Sequence, residues 1–286
     1  MRKKLRMKLK NKLIFIGILG ILIISCQSKK SNQTLKSEFL TDSIFSQNLS
    51  EYRKHNVYLP KGFSKENKYP IIYATDGNSQ LTDKKNTLDS LIENEIIKPV
   101  IFVASFANNK IADSTSVTTG DGKKVKLGYR NFEYINDYAS TTKDSSLANR
   151  FENHKSYFVN ELIEHIESKY EQNNGKEFRY FYGVSNGAGF GMSLLNQEPK
   201  LIGTYLCFST FGGDIQTNSW NKEITYPSLY LKYGSEEPFF LKEDAEFLKK
   251  KYVDSNSFIE IEEFSGGHNN KFWKKEFIET VGKILN

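Results

Sequence analysis

A glycine-flanked serine is the feature of this sequence that most directly suggests chemistry. Residues 183–187 read Gly-Val-Ser-Asn-Gly and fit the pattern G-x-S-x-G, with Ser185 at its centre. A short aromatic strand predicted over Phe178 to Tyr182 precedes the pattern, and a helix predicted from Asn186 follows it. Small residues two before and two after the serine leave room for a tight strand-to-helix turn that exposes the hydroxyl. We therefore predict Ser185 as a nucleophile; the alternative is a glycine-rich turn with an exposed serine.

A serine hydroxyl needs a general base, because it is a weak nucleophile at neutral pH. The chain has four histidines, and His268 alone follows Ser185. It comes after the flexible segment 264–267 and before a predicted C-terminal helix, so a loop can carry it over the strand ends. The other three precede the serine: His55 in an early strand, His154 at the start of a helix and His165 within that helix. We predict His268 as the base; the alternative is a surface loop histidine.

A carboxylate should complete the set by accepting a hydrogen bond from the imidazole Nδ1 and fixing its tautomer. After a strand predicted over Ser228 to Tyr233, the turn 234–237 supplies two acids. Glu237 is our choice on its position, Glu236 is the nearer rival and Asp244 a distant one.

Two backbone amides should stabilise the oxyanion formed when a serine attacks a carbonyl. The residue after the nucleophile, Asn186, supplies one. The second is predicted from Gly77 or Asn78, which follow the buried strand predicted over Tyr69 to Thr75; an ordinary turn is the alternative there.

The elements that position these residues alternate between strand and helix patterns. This alternation predicts an α/β fold, a doubly wound and mainly parallel sheet with helices on both faces. The remaining predicted strands are Tyr52 to Leu59, Val100 to Phe106, Ile202 to Ser209 and Phe258 to Phe264. The predicted helices are Thr82 to Asn94, His154 to Tyr170, Asn186 to Asn196, Lys242 to Tyr252 and Lys271 to Leu285. The polar segment Asn108 to Arg150 fits neither pattern and is predicted as a substrate-shaping loop or lid, or as a surface excursion.

The N-terminus has the pattern of a signal peptide. Residues 1–12 hold seven Lys or Arg and no acid, and an apolar run of twelve residues, 13–24, follows. This run is shorter than the about 20 residues that span a bilayer as a helix, so we predict a cleaved signal over residues 1–25. Ile23-Ile24-Ser25-Cys26 resembles the lipobox of bacterial lipoproteins, which implies lipidation of Cys26; a plain signal peptide is the alternative. Residues 26–37 are predicted as a tether and 38–286 as one catalytic domain.

The composition excludes some classes of partner and site. Removing residues 1–25 takes away seven positive charges, so the formal net charge falls from +6 to −1 and no basic surface for nucleic acid is expected. Cys207, in an apolar run, is predicted as a buried packing residue. No histidine, cysteine or carboxylate set shows metal-ligand spacing, so neither a metal nor a cofactor is predicted.

From Tyr52 to the C-terminus the chain resembles the esterase D-like family, which includes enterochelin esterases, S-formylglutathione hydrolase, feruloyl esterases and mycolyltransferases. The resemblance is carried by segments 56–60, 69–77, 130–134, 161–167, 183–187 and 234–237 and by Gly267-His268. It implies an α/β-hydrolase fold and metal-free ester hydrolysis with Ser185, Glu237 and His268 as triad. The aromatic residue after the histidine stands five positions on, at Trp273, a departure from the family pattern. Arg130 and Glu133 are expected to pin the 108–150 segment through a surface salt bridge or, alternatively, to orient substrate.

Three functions follow as hypotheses. The first is hydrolysis of a carboxylic ester, such as an acylated sugar or a siderophore-like ester, by an enzyme of the cell envelope that is lipid-anchored through Cys26 and faces outside the cytoplasm. The second is acyl transfer to an alcohol through the same triad. The third is a non-catalytic surface lipoprotein that keeps the fold as a binding module.

Overall fold

A mixed β-sheet forms the centre of the computed structural model, which describes residues 36–79, 81–118, 124–172 and 175–286. The strands are β1 (Glu38–Ser46), β2 (Glu51–Leu59), β3 (Ile71–Ala74), β4 (Ile101–Ser105), β5 (Ile111–Thr118), β6 (Lys124–Gly128), β7 (Arg179–Val184), β8 (Thr204–Phe208), β9 (Ser228–Gly234) and β10 (Ile259–Phe264). The α-helices are α1 (Leu81–Glu93), α2 (Tyr129–Tyr134), α3 (Ser145–Ala148), α4 (Arg150–Ser156), α5 (Ile163–Tyr170), α6 (Asn186–Gln197), α7 (Phe240–Asp254) and α8 (Asn270–Ile284). A π-helical segment, Tyr157–Leu162, joins α4 to α5, and short 3-10 helices cover Asn136–Thr141 and Lys176–Phe178.

Eight of the described strands form the main sheet in the order β1-β2-β4-β3-β7-β8-β9-β10. The pairs β1/β2 and β2/β4 are antiparallel and all other neighbours are parallel. The predicted doubly wound, mainly parallel sheet is therefore confirmed. From β3 the chain passes to β4 on one side, and from β7 it proceeds to β10 on the other. A crevice is expected outside the carboxyl ends of strands where the order reverses in this way, here between β3 and β7.

Helices cover both faces of the sheet, and two adjacent residues of β3 pack against different faces. Ile72 and Tyr73 are both buried but belong to different apolar clusters, because successive strand side chains point to opposite faces. Tyr73 shares its cluster with Phe158 and Phe190 from the helices on one face, whereas Ile72 shares its cluster with Phe277 of α8. Fully buried strands such as β3 and β4 are typical of a parallel sheet covered on both sides.

The structure differs from the prediction in one strand and at the start of one helix. Strand β1 was not predicted; it pairs along its whole length with β2 at the edge of the sheet, and Leu40 and Phe45 remain 39% and 46% exposed. Its mixed polar sequence carries little strand signal, so the pairing with β2 defines it. The helix expected from His154 begins at Arg150, and His154 is a buried interior residue.

The segment Asn108 to Arg150 contains regular structure rather than a long loop. The hairpin β5/β6 is followed by α2 and α3, and the buried side chains of Leu127, Phe132 and Leu147 form a small apolar cluster. Amphipathic pieces this short are easily overlooked in a polar sequence.

Glu133 holds this segment through buried ion pairs with Arg53 and Arg150. The prediction of a surface salt bridge between Arg130 and Glu133 is therefore wrong. Glu133 of α2 is completely buried, and its Oε1 lies 2.7 Å from Arg53 Nη1 and 2.7 Å from Arg150 Nη2. Both arginines also contact Glu51, which is one-third exposed. The carboxylate of Glu133 thus ties α2 to β2 and α4.

The predicted signal peptide (residues 1–25), Cys26 and all but the last two residues of the predicted tether lie outside the described residues. In the part of the chain that is described, no helix combines the length and the apolar character needed to cross a membrane. Cys207 on β8 is a buried free thiol, as predicted.

Candidate active site

The backbone at Ser185 is strained. This residue follows β7 and is the N-cap of α6, with φ 55° and ψ −129°, a combination that residues other than glycine rarely adopt. Its N–H donates to Phe208 O at 3.0 Å, and its carbonyl accepts from Gly189 N at 3.1 Å and from Phe211 N at 3.2 Å. These bonds to the neighbouring strand end and the following helix hold the turn in place.

The glycines of the G-x-S-x-G pattern are required by close packing. A Cβ atom at Gly183 would lie 2.6 Å from Gly187 O, and one at Gly187 would lie 2.2 Å from Thr75 Oγ1. Real Cβ atoms do not approach other heavy atoms this closely, so a side chain at either position would force the turn apart. The pattern therefore matches the local structure for the steric reason that the sequence suggested.

The structure brings Ser185, His268 and Glu237 together. His268 lies between β10 and α8, and its Nε2 is 2.9 Å from Ser185 Oγ. Its Nδ1 is 2.5 Å from Glu237 Oε1. The imidazole is 36% exposed, whereas the Glu237 side chain is only 1% exposed. A serine, an imidazole and a buried carboxylate are thus joined in one hydrogen-bonded chain.

Glu237 accepts hydrogen bonds from two groups besides His268. Its Oε2 accepts hydrogen bonds from Ser209 Oγ at 2.7 Å and from Gly234 N at 2.6 Å. Burial by itself would raise the pKa of Glu237, but the hydrogen bonds from His268, Ser209 and Gly234 outweigh it and lower the pKa below its usual value. The carboxylate is therefore stabilised in its charged form.

The two rival acids are placed elsewhere. Glu236 is exposed, and its backbone N–H donates to Gly266 O at 2.9 Å. Asp244 accepts a hydrogen bond from Gln216 at 2.7 Å on α7. Neither makes the contact to His268 that Glu237 makes.

Ser209, which donates a hydrogen bond to Glu237, was not identified from the sequence. Ser209 is completely buried at the end of β8, where it accepts a 2.7 Å hydrogen bond from Trp273 Nε1 and donates to Glu237. The ring of Trp273 also packs edge-on against His268, with centroids 4.7 Å apart. The position of Ser209 at the carboxyl end of a strand next to β7 was the available signal, because functional side chains collect at that edge.

The prediction for the oxyanion donors needs one correction. The amide of Gly77 donates to Ser105 O at 2.8 Å, so it is committed to the neighbouring strand end and does not face a substrate. A Cβ at Gly77 would lie 2.1 Å from Ala104 O, which shows that packing against β4 requires this glycine. Asn78 anchors the same turn through its side chain, with Nδ2 donating to Ala107 O and Oδ1 accepting from Ala107 N, each at 3.2 Å.

Asn186 is the first residue of α6, and the first amides of a helix have no partner inside the helix. Its side-chain Oδ1 accepts a hydrogen bond from Arg130 Nη1 at 3.1 Å. The Arg130 guanidinium also donates two hydrogen bonds to the Asp76 carboxylate, from Nε at 2.6 Å and from Nη2 at 2.9 Å. Burial alone would lower the pKa of Arg130, but the pairing with Asp76 outweighs burial and raises this pKa above its usual value. Arg130 thus links the turn after β3 to the residue that follows Ser185.

Aromatic side chains also pack next to the histidine on the side of Phe211. The ring of Phe211 lies 4.8 Å from the His268 ring and 5.1 Å from that of Phe240. Phe239, next to it, is 70% exposed. The Phe211 ring thus packs between His268 and Phe240, and the backbone N–H of Phe211 donates to Ser185 O.

Comparisons with known proteins identify the family and the fold. The family model described as "Putative esterase" matches residues 46–284. A CE1 ferulic acid esterase of Anaeromyces mucronatus is 18% identical, with 86% of this chain and 90% of that chain covered and a TM-score of 0.63. An IroE-like serine hydrolase of Shewanella oneidensis is 17% identical, with coverage of 87% and 80% and a TM-score of 0.64.

An S-formylglutathione hydrolase of Staphylococcus aureus is 11% identical, with coverage of 90% and 99% and a TM-score of 0.58. At these identities the structural matches show the α/β-hydrolase fold, and the family model extends over most of the chain. The chain belongs to this esterase family and is a carboxylic ester hydrolase.

Proposed function

We propose that the chain hydrolyses its ester through an acyl-enzyme formed on Ser185, with His268 as general base and Glu237 as the acid that orients it. The observation that carries the proposal is the 2.9 Å separation of His268 Nε2 and Ser185 Oγ, with Glu237 on the opposite ring nitrogen. The accepting atom of a general base must lie about 2.6 to 3.2 Å from the atom that carries the proton.

In the first step Ser185 Oγ attacks the ester carbonyl carbon as its proton passes to His268 Nε2. Glu237 stabilises the resulting imidazolium, and the carbonyl oxygen becomes an oxyanion. The backbone N–H of Asn186 and that of Asn78 are the proposed donors to this oxyanion. The tetrahedral intermediate then expels the alcohol, which takes the proton from His268.

In the second step a water molecule attacks the acyl-enzyme as it gives a proton to His268. The carboxylic acid leaves, and the proton returns from His268 to Ser185 Oγ. Atoms and charge balance over the two steps without a metal or cofactor taking part.

For the substrate, we propose an ester with an aromatic or otherwise flat acyl group on a polar alcohol, such as an acylated sugar or a siderophore-like ester. The Phe211 ring next to His268 and the adjacent Phe240 ring support this proposal, because they offer an apolar surface near the imidazole. Ferulic acid esterases are among the structural relatives, in line with an aromatic acyl group. Phe240→Ala should raise KM for methyl ferulate several-fold and leave hydrolysis of p-nitrophenyl acetate nearly unchanged. An equal effect on both esters would contradict this role of Phe240.

Acyl transfer to an alcohol is the second candidate reaction, since the same acyl-enzyme can be attacked by a hydroxyl instead of water. The partly exposed imidazole supports both, because either nucleophile must reach His268. Product analysis with and without a sugar acceptor distinguishes the two reactions. Free acid as the main product in both conditions supports hydrolysis.

We also propose that the mature enzyme is held to a membrane through lipid on Cys26 and faces outside the cytoplasm. The charged and apolar segments before Cys26 support this. Several acyl chains on one residue give stable anchoring, because each buried CH₂ contributes about 0.8 kcal/mol. Labelling with a radioactive fatty acid should be abolished in Cys26→Ala, and persistence of the label would overturn the anchor.

A fluorophosphonate probe, which reacts with activated serines, tests the catalytic proposal. The parent should be labelled and should hydrolyse p-nitrophenyl acetate, whereas Ser185→Ala and His268→Ala should do neither at a comparable rate. Labelling or hydrolysis that persists unchanged in Ser185→Ala would exclude this serine as the nucleophile.

A further inference from the structure

Two histidines and an aspartate from three separate elements converge at the outer antiparallel strands of the sheet. Asp42 lies on β1, His55 on β2 and His165 on α5, and Asp42 and His55 are directly paired across the two strands. Asp42 Oδ2 lies 3.4 Å from His165 Nε2 and 3.8 Å from His55 Nε2. The three side chains can each present a ligand atom within 4.8 Å of the other two.

His55 is the unusual member of this cluster. It is completely buried, and none of the described residues forms a hydrogen bond with either of its ring nitrogens. Buried polar atoms almost always have a partner, so an imidazole in this state calls for an explanation. Its Nε2 lies 3.8 Å from Asp42 Oδ2, and the centroid of its ring is 5.6 Å from that of the His165 ring.

We propose that Asp42, His55 and His165 bind a divalent transition-metal ion of the zinc type. Imidazole nitrogens with one carboxylate suit zinc, whereas calcium and magnesium prefer oxygen ligands throughout. A tetrahedral ion about 2.0 to 2.1 Å from its ligands places those ligands about 3.3 Å apart. The two separations from Asp42 are 3.4 and 3.8 Å, and the ligand atoms of the two histidines lie within 4.8 Å of each other, so side-chain shifts of about 1.5 Å or less bring all three to this value.

Lys169 competes with the ion for Asp42. Its Nζ lies 2.5 Å from Asp42 Oδ2, one helical turn beyond His165, and its side chain is 43% exposed. The ammonium group balances the carboxylate charge when no ion is bound, and its long stem lets it move into solvent when an ion takes its place. Removal of this positive charge therefore strengthens metal binding.

The ion would connect elements that are distant in the sequence. Spacing could not reveal this site, because 13 positions separate Asp42 from His55 and 110 separate His55 from His165. Binding would hold the edge strand β1 and its neighbour β2 against α5, and it would stabilise the folded state by an amount that grows with the logarithm of the ion concentration above Kd.

Cobalt(II) is the probe, since it substitutes for zinc and absorbs visible light when tetrahedral. We expect the full chain, stripped with a chelator, to bind one Co²⁺ with a visible band and a rise in melting temperature. His165→Ala and Asp42→Asn should each weaken binding at least about 100-fold, more than the loss of an outer-shell partner does. Lys169→Met should tighten it roughly tenfold.

Two matched variants serve as controls. Glu279→Gln changes an exposed acid in the cluster of Glu262, Glu276 and Glu279 and should leave cobalt binding unchanged. Ser185→Ala should do the same, because the site does not depend on the esterase reaction. His165 is one-third exposed, so its variant tests the site even if Asp42→Asn does not fold. Absence of the cobalt band in the parent, or equal affinity in His165→Ala, would overturn the proposal.

Discussion

The Ser209 hydroxyl lies 2.7 Å from Glu237 Oε2 and accepts a hydrogen bond of the same length from Trp273 Nε1. Because a hydroxyl has one proton, the indole donor directs that proton towards the carboxylate. One oxygen of Glu237 is thereby fixed by Ser209 and Gly234, and the other is left for His268. The orientation of the acid is set by the protein before any substrate binds.

Glu237→Gln should lower kcat by about 10³- to 10⁴-fold. The amide is similar in shape but carries no charge to stabilise the imidazolium, and it can present an N–H where His268 needs an acceptor. Glu236→Gln is the matched control, since Glu236 is exposed and makes no contact with the imidazole; its kcat should equal that of the parent. Steady-state kinetics with p-nitrophenyl acetate measure both, and equal losses in the two variants would refute the assignment of the acid.

Ser209→Ala should both slow and destabilise the enzyme. It leaves the buried Trp273 indole N–H without an acceptor, which costs about 1–3 kcal/mol, and looser positioning of Glu237 should reduce kcat roughly 5- to 30-fold. Trp273→Phe removes the same hydrogen bond from the other side.

A double-mutant cycle for Ser209→Ala and Trp273→Phe should therefore show a coupling energy of about 0.5–3 kcal/mol in the free energy of unfolding. Strictly additive effects would mean that the hydrogen bond between the two residues does not contribute.

The pH dependence of stability should report the charge on Glu237. Its pKa is lower in the folded protein than in the unfolded chain, where a glutamate titrates near 4.3. This difference stabilises the folded state above about pH 4.3, and the contribution is lost as pH falls through the folded-state pKa. Urea unfolding between about pH 3 and 7 should show a shallower decline for Glu237→Gln than for the parent. Parallel curves would contradict the lowered pKa.

Glu133→Ala should destabilise the protein by about 3–5 kcal/mol, because Arg53 and Arg150 would lose a fully buried partner. Glu152→Ala, which removes an exposed partner of Lys155, should cost at most about 1 kcal/mol and serves as the control. Denaturant unfolding measures both changes. If the two variants are equally stable, the buried ion pair does not hold the segment between β4 and α4.

The sequence predicted those parts of the fold whose signals are local. Continuous apolar runs mark β3 and β4, and G-x-S-x-G predicts the turn at Ser185 because its glycines are needed within that turn. The position of His268 after the last strand and before the C-terminal helix was likewise visible from chain order.

What the sequence did not predict depends on long-range contacts. Ser209 acquires its place beside Glu237 only once β8 and β9 are adjacent, and β1 is a strand because it pairs with β2. Gly77 looked like an oxyanion donor from its place in a turn, but the packing of that turn against β4 engages its amide. Arg130 and Glu133 are three positions apart, but both pair with residues that only the fold brings near them. Arg130 pairs with Asp76, and Glu133 pairs with Arg53 and Arg150.

Trapping the acyl-enzyme tests the central claim most directly. The parent, mixed with a slowly hydrolysed p-nitrophenyl ester, quenched in acid and digested, should carry the acyl group on the peptide that contains Ser185, and Ser185→Ala should lose about 10⁴- to 10⁶-fold in kcat. An acyl group found on another residue, or a Ser185→Ala variant that turns over at the parent's rate, would contradict the account.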